Sequence, residues 1–207
     1  MEQFIKSQLL KADLIEIDSQ LSESGFKDMS SMLLIKQLFL TISNLVDFEI
    51  TVRPLYKENR TLSEQYKKAS KEYSFAKYLR NKFVGHIKHE LIEKAIEWKP
   101  ELRYSLKEAG DPKMMFFFNM FVLETAINTY VNQDGSHKIF DSETDLVYKP
   151  DLNRFLNYLS FMATSAIGYL NELEAVLGRG IDMLGFSEMD REHWLAAGDT
   201  TFEYIKK

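Results

Sequence analysis

The sequence predicts an all-α protein, an up-and-down helical bundle, and three observations support this fold class. Glycine and proline are scarce, with nine and four residues in a chain of 207, so there is little material for the many turns of a sheet protein. Apolar residues recur every three to four positions along several segments, which is the spacing of one helix face. The chain has no cysteine, so neither disulfides nor Cys-ligated zinc can take the place of a packed core.

Length and charge indicate the domain organisation and the kind of partner. With 207 residues, 45% of them hydrophobic, the chain is predicted to form a single domain over 1–207 with a core at about residues 30–177. We expect the N-terminal helix 2–23 and the tail 178–207 to be appendages. A net charge of −5 argues against a broad nucleic-acid footprint but leaves room for a small site acting on one phosphate.

The sequence predicts neither a targeting segment nor a membrane span. Glu2 and Lys6 interrupt the N-terminus, so it lacks the apolar run of a signal peptide. The densest apolar segment, residues 114–123, is about half the length that a membrane crossing needs. We therefore expect a cytoplasmic protein with no membrane partner, and no cofactor is predicted.

Two amphipathic helices are predicted at the start of the chain. The first, residues 2–23, is stopped by Gly25, and its apolar face is Ile5, Leu9, Ala12 and Ile15 or Glu16. The second, capped by Asp28 or Ser30, has the cleanest apolar stripe of the chain: Ile35, Leu38, Phe39, Ile42, Leu45 and Val46. It is expected to end before Pro54, because the residue before a proline is displaced from the helical region.

A long third helix is predicted over 62–84, after a polar connection at 54–60. The capping box Thr61-x-x-Glu64 marks its start. Its apolar stripe consists of Leu62, Tyr66, Ala69, Tyr73, Ala76, Phe83 and Ile87. Arg80 occupies the stripe position between Ala76 and Phe83, where a guanidinium is costly unless it is paired or reaches an anion. Arg80 is therefore either a snorkelling or ion-paired structural residue or a group that binds an anionic ligand.

The second half of the chain predicts three more helices, at 87–98, 114–130 and 152–177, with a loop through 100–113. The apolar run Phe116-Phe117-Phe118 is expected to pack in the core rather than to stack on bases. Asp151 is predicted to cap the last long helix, and Gly178 is predicted to end it.

Residues 138–148 interrupt the helical pattern, so 138–140 and 146–148 are predicted to pair as a small β-hairpin. In the tail, residues 187–197 are expected to form a short helix that docks through Trp194. His137 and His193 lie in loop and tail contexts, and we expect both to be incidental.

Two polar side chains flank Phe83 in the third predicted helix. Arg80 lies three residues before Phe83 and His86 three after it, so on an ideal helix they are about 120° apart in azimuth and about 9 Å apart along the axis. They converge on one ligand if the helix breaks at Gly85, whose missing Cβ permits a left-handed C-cap, or if a second chain faces them. Asn81 adds an amide donor and acceptor beside Arg80.

The segment Arg80-Asn81-x4-His86 resembles the signature of the HEPN superfamily, in which an Arg, usually followed by a polar residue, precedes a His by four to six intervening residues. The stretch LRNKFVGHI is similar to that of prokaryotic HEPN proteins of toxin and defence type, and the resemblance covers about residues 30–177. It implies a helical homodimer whose two motifs face each other and cleave RNA without metal, leaving a 2′,3′-cyclic phosphate. Arg80, Asn81 and His86 would be catalytic, and an antitoxin protein is a further conceivable partner.

These residue types fit that chemistry. A histidine titrates near neutral pH and can either accept the proton of a ribose 2′-OH or protonate the leaving 5′-oxygen. Arg80 supplies a fork of donors for phosphate oxygens, and Asn81 would orient the histidine or bind a phosphate oxygen. Because one histidine cannot readily be acid and base at once, a homodimer with two copies of His86 is expected.

Two other interpretations remain open from the sequence. In the first, the HEPN-like fold is kept, Arg80 and His86 are a structural polar pair in a dimer interface, and the module binds nucleotides or proteins without cleaving RNA. The acidic composition favours this alternative. In the second, His86, His89 and Glu90 hold a metal, but this spacing is not a known cage and lacks a further ligand, so no metal site is predicted.

Overall fold

The computed structural model describes residues 1–182 together with residues 185, 195 and 198. This part of the chain contains helices and turns but no sheet, which confirms the all-α prediction. The α-helices are α1 Glu2–Ser24, α2 Met29–Val52, α3 Arg60–Lys68, α4 Ser70–Leu79, α5 His89–Trp98, α6 Glu101–Tyr104, α7 Pro112–Asn128 and α8 Lys149–Gly178. A π turn, Arg80–Val84, follows α4, and short 3-10 turns lie at Arg53–Lys57 and Leu106–Glu108.

The bundle is built around α2. This helix packs against α1, α4, α7 and the π turn, while α8 covers α1 and α3, and α5 packs on α7. The predicted stripe of α2 is confirmed, since Ile35, Leu38, Phe39, Ile42 and Leu45 are fully buried and Val46 is partly buried against the core. Its predicted limits are also confirmed. The Asp28 carboxylate accepts the Ser31 N–H at the N-terminus, and the helix ends at Val52, ahead of Pro54. The reason predicted for this end is wrong, because Arg53 keeps right-handed helical geometry (φ −50°, ψ −36°) and the chain continues into the 3-10 turn Arg53–Lys57.

The predicted third helix is divided by the structure. The backbone leaves helical geometry at Ala69 (φ −123°, ψ 18°), so α3 and α4 are separate helices. The capping box at Thr61 is wrong, because α3 begins at Arg60 with Asn59 as its N-cap and no side-chain cap bond. The apolar stripe holds across the break, but Ile87 is 57% exposed because the chain has left the helix by that residue.

The exposed and buried faces of α1 are the reverse of the prediction. Gly25 ends the helix with φ 66°, as expected, but the predicted apolar residues Ile5, Leu9 and Ile15 are exposed. The buried residues are Ser7, Leu10, Leu14 and Ile17. Apolar residues lie on two sides of α1, and α2 and α8 cover the side that carries Leu10 and Leu14.

The predicted β-hairpin at 138–148 is wrong. The only strand-like pairing between described residues is an isolated bridge of Val131 and His137. Side chains of α7 hold this segment instead. The amide of Asn128 bonds the backbone N–H and C=O of Thr144, and the buried Glu124 carboxylate accepts the Leu146 N–H at 2.9 Å.

The ends of the second-half helices are corrected in detail. Helix α8 ends at Gly178 as predicted but begins at Lys149, so Asp151 lies in its first turn and is not the cap. The Asp151 carboxylate accepts the Asp145 N–H and pairs with Arg154. The predicted loop 100–113 contains α6 and a 3-10 turn. The predicted tail helix 187–197, with Trp194, lies outside the described residues except for Leu195.

One described segment, Met29–Lys57, is long and apolar enough to cross a membrane when judged by length and composition alone. It, and not 114–123, is therefore the most membrane-like stretch of the described chain. Half of its most apolar window is buried inside the bundle. The core helix of a soluble protein gives the same signal, so this finding agrees with a soluble protein.

Candidate functional site

The motif lies on a π turn that ends the helical run of α4. The Gly85 N–H donates to the Arg80 carbonyl at 2.7 Å, an i to i+5 bond, and the Lys88 N–H donates to the Lys82 carbonyl at 3.3 Å. The chain then leaves helical structure until α5 begins at His89. Single π turns within helices are rare and occur frequently at functional sites.

Gly85 acts differently from the prediction. Its backbone is right-handed (φ −75°, ψ −38°), so the left-handed C-cap is wrong, because the i to i+5 bond closes the last turn without it. The Arg80 side chain packs over the Cα of Gly85 instead. A Cβ at Gly85 would lie 3.4 Å from both Cζ and Nη1 of Arg80. The guanidinium is therefore in van der Waals contact range of this position.

Arg80 is half-buried and has unused donors. Its Nη1 donates to Oδ1 of Asn81 at 3.0 Å. Its Nε is buried without a hydrogen-bond partner in the described part of the chain. No described carboxylate pairs with it, which argues against the ion-paired interpretation. A buried donor left unpaired costs about 1–3 kcal/mol, so this guanidinium is placed at some cost to the fold.

The structure brings Arg80 and Asn81 together but does not bond either of them to His86. Asn81 and His86 are both exposed, and the Asn81 amide oxygen is turned to the guanidinium rather than to the imidazole. His86 follows Gly85 on the segment outside the helix. Its imidazole is accessible to a ligand or to a second chain.

The segment that carries the motif is basic although the whole chain is acidic. Between Tyr73 and His89 the sequence contains four cationic residues and no Asp or Glu: Lys77, Arg80, Lys82 and Lys88. Lys77 pairs with Asp47 of α2 at 2.6 Å, whereas Lys82 and Lys88 are exposed. Net charge alone hides this local concentration; the gap in acidic residues is the sequence signal that reveals it.

Lys36 of α2 is a further cation beside the motif that the sequence prediction missed. Its Nζ lies 4.7 Å from the ring centroid of Phe83, the central residue of the motif, and donates to Asn119 Oδ1 at 2.6 Å. Burial lowers the pKa of Lys36 below its usual value. A sequence signal existed, since Lys36 is the only charged residue between Asp28 and Asp47.

The metal interpretation gains no support from the geometry. The His89 imidazole lies 3.3 Å from the Glu93 carboxylate, one turn further along α5. Among the residues that the structure describes, no group of three or more potential ligands is placed to hold a metal ion.

His137, which was predicted to have no functional role, has a structural one. Its Nδ1 accepts the N–H groups of Ile139 at 3.0 Å and Phe140 at 2.9 Å, so Nε2 carries the proton and donates to the Ile127 carbonyl at 2.9 Å. Burial is the main cause that lowers the pKa of His137. A cleft of about 740 Å³ lies beside it, but the His137 ring nitrogens already have partners.

Comparison with family models, with curated proteins and with solved structures finds no match to this chain. The HEPN resemblance therefore stays a prediction from the motif. The chemistry of the Arg80–His86 turn is the basis on which a function can be proposed.

Proposed function

We propose that this chain is a HEPN-like, metal-independent endoribonuclease of toxin or defence type that acts as a homodimer. The observation that carries the proposal is the motif turn itself. It holds a guanidinium with an unpaired, buried Nε, an exposed histidine follows it two residues after the turn, and the surrounding segment is basic within an acidic chain. Unpaired cationic donors on the same segment as an imidazole, which can accept or donate a proton, suit a phosphodiester substrate.

The proposed reaction is attack of a ribose 2′-oxygen on the adjacent phosphorus. His86 of one subunit accepts the 2′-OH proton, the new O2′–P bond forms, and the P–O5′ bond breaks. The partner subunit's His86 gives its proton to the leaving O5′. The products are a 2′,3′-cyclic phosphate and a free 5′-OH. Arg80 binds the non-bridging oxygens, whose negative charge increases in the transition state, and Asn81 holds the guanidinium.

Apolar residues near the motif support the proposed homodimer. Ile87 follows His86 and is 57% exposed, and Leu33, one turn before Lys36, is 59% exposed. Met115, one turn before Asn119 on α7, is 44% exposed. Such side chains around a polar centre are typical of an interface between subunits, and the dimer would place two copies of His86 at one site.

The test is cleavage of a mixed RNA pool by the purified protein in EDTA. We expect fragments with 2′,3′-cyclic phosphate ends, and we expect light scattering to give a dimer at about tens of micromolar. A double variant, Arg80→Ala with His86→Ala, purified in parallel, should be inactive and so controls for a contaminating nuclease. A dimeric wild type that cleaves no RNA would contradict the proposal and favour the non-catalytic binding module. A strict monomer would contradict the two-histidine mechanism.

A further inference from the structure

Lys36 differs from the other partly buried lysines of the described chain. Lys99 pairs with the buried carboxylate of Glu124, and Lys11 pairs with Glu174. Lys36 has no carboxylate partner among the described residues; a neutral amide oxygen of Asn119 and the face of Phe83 surround its ammonium. Its positive charge is therefore solvated by dipoles and a ring quadrupole but is not neutralised.

An un-neutralised ammonium on a core helix is unfavourable for folding. Lys36 is partly buried, and withdrawing its charge even in part from water costs free energy that a single amide and a ring do not fully recover. Burial lowers the pKa of Lys36, which has the same physical cause. An apolar side chain at this position, between Ile35 and the Phe83 ring, would pack without that cost. An ammonium that destabilises the fold in this way indicates a ligand, because functional sites commonly retain features that lower stability.

The position of Lys36 identifies the ligand. Phe83, which its ammonium covers, lies in the same π turn as Arg80, and α2 packs directly on that turn. Asn119 holds the ammonium in place: its Oδ1 accepts from Lys36, while its Nδ2 donates to the Met115 carbonyl at 2.9 Å. The second cation is therefore held against the same turn that carries the guanidinium.

We propose that Lys36 binds a backbone phosphate of the RNA strand next to the phosphate held by Arg80. This inference rests on the proposed function and deepens it, since it assigns a binding group on α2 that lies outside the motif. A polynucleotide has a second phosphate near the first, which a mononucleotide lacks, so Lys36 selects a strand. Lys36 takes no part in proton transfer.

The test measures RNA binding at several salt concentrations, with a mixed-sequence 2′-O-methyl oligoribonucleotide, which lacks the attacking hydroxyl. Each phosphate contact on a single strand contributes about −0.7 to the slope of log affinity against log salt. We expect Lys36→Met to make the slope shallower by about 0.7 and to weaken binding at low salt about tenfold or more. Lys36→Arg should keep the wild-type slope.

Lys6→Met is the matched control. Lys6 of α1 also has its Nζ over a buried ring, 5.1 Å from the Phe48 centroid, but α1 does not pack on the π turn. This variant makes the same charge change and should keep the wild-type slope. The melting temperature separates binding from structure. Lys36→Met should melt at or above the wild-type temperature, whereas a merely structural lysine would lower it and leave the salt slope unchanged.

If Lys36→Met does not fold, Asn119→Asp replaces it. The new carboxylate would neutralise the ammonium without removing it. The slope of log affinity against log salt should then become shallower, as in Lys36→Met. A wild type that binds with a Lys36-dependent slope but does not cleave RNA would end the nuclease proposal and keep this one. Cleavage by the wild type with an unchanged slope in Lys36→Met would overturn this inference alone, and so would a wild type without salt-dependent RNA binding.

Discussion

Two regions of the molecule each combine an arginine, a histidine and a phenylalanine, and they use them in opposite ways. In the structural region, both His137 nitrogens have backbone partners, and the Arg154 Cζ lies 5.1 Å from the Phe140 ring centroid. The terminal nitrogens of Arg154 bond to Ser142, Glu143 and Thr144, and one pairs with Asp151. The motif region has one such bond, from Arg80 to Asn81, and an exposed His86.

The two regions differ in how many of their polar groups already have partners within the fold. Arg154 also has a buried Nε without a partner in the described chain, but both of its terminal nitrogens are bonded and Asp151 compensates its charge. Arg80 and Lys36 have no described carboxylate partner, and Lys36 contacts the π turn that carries Arg80 through the Phe83 ring. Changes in the structural region should therefore cost stability, and changes in the motif region should cost activity.

The largest effect on folding is expected from Phe75→Ala in the structural region. Phe75 is fully buried and packs on Tyr130, with ring centroids 4.8 Å apart, and on Phe140 and Tyr158. Removing a buried phenylalanine costs about 3–5 kcal/mol, which urea unfolding would measure. A loss below about 1 kcal/mol would show that this cluster does not organise the region.

Arg80→Lys should lower activity with little change in stability, which is the opposite of the effect expected for Phe75→Ala. A point charge cannot replace the guanidinium fork, and losing one transition-state donor typically costs about 10²–10³-fold in rate. The free energy of unfolding should change by less than about 1 kcal/mol, since Arg80 has no described ion pair to lose. Single-turnover cleavage and urea unfolding measure the two effects. A destabilised variant that keeps full activity would place Arg80 with Arg154 among the structural arginines.

His137→Asn should cost about 1–2 kcal/mol, because it removes the Nε2 bond and the contact with the Phe140 ring but keeps an acceptor near Nδ1. It should also flatten the pH dependence of stability. The folded-state pKa of His137 is below its usual value of 6.5. The unfolded chain therefore binds the proton first, and wild-type stability falls as the pH drops below about 6.5.

Urea unfolding of both proteins at pH 7.5 and 5.5 checks this prediction. Burial raises the pKa of Glu124, so its titration has the opposite sign, but it is common to both proteins and cancels in the difference. Equal pH dependence in wild type and His137→Asn would contradict the neutral, fully bonded imidazole.

Gly85→Ala should have the smallest effect. The right-handed backbone at Gly85 accepts a Cβ, which would meet the Arg80 guanidinium at 3.4 Å, an ordinary contact. We expect stability to be unchanged or to rise by up to about 1 kcal/mol, because alanine restricts the unfolded chain. The melting temperature measures this. A clear destabilisation would indicate a left-handed Gly85 and support the original C-cap prediction.

The sequence predicted the elements that depend on local pattern. The stripe and caps of α2, the end of α1 at Gly25 and the end of α8 at Gly178 follow from periodicity and from residues that stop or cap helices. The buried face of α1 could not be predicted, because apolar residues lie on two sides of the helix and only tertiary packing chooses between them.

The sequence names the residues of the candidate site, but it could not predict their geometry. Arg80, Asn81 and His86 stand out by type and spacing, whereas the π turn depends on a backbone bond that leaves no sequence signature. Lys36 lies 47 residues before Phe83 in the chain, and only the packing of α2 against the π turn brings the two side chains into contact. His137 donates a hydrogen bond to the Ile127 carbonyl, which lies near the end of α7. Partners of this kind are set by the tertiary fold.

The most direct test of the central claim compares His86→Ala with His89→Ala in RNA cleavage. Both histidines are exposed and three residues apart, but only His86 belongs to the proposed site. The account predicts that His86→Ala lowers the single-turnover rate by about 10²–10⁴-fold, with EDTA present and the melting temperature unchanged, while His89→Ala cleaves like the wild type. Equal rates for wild type and His86→Ala would contradict it.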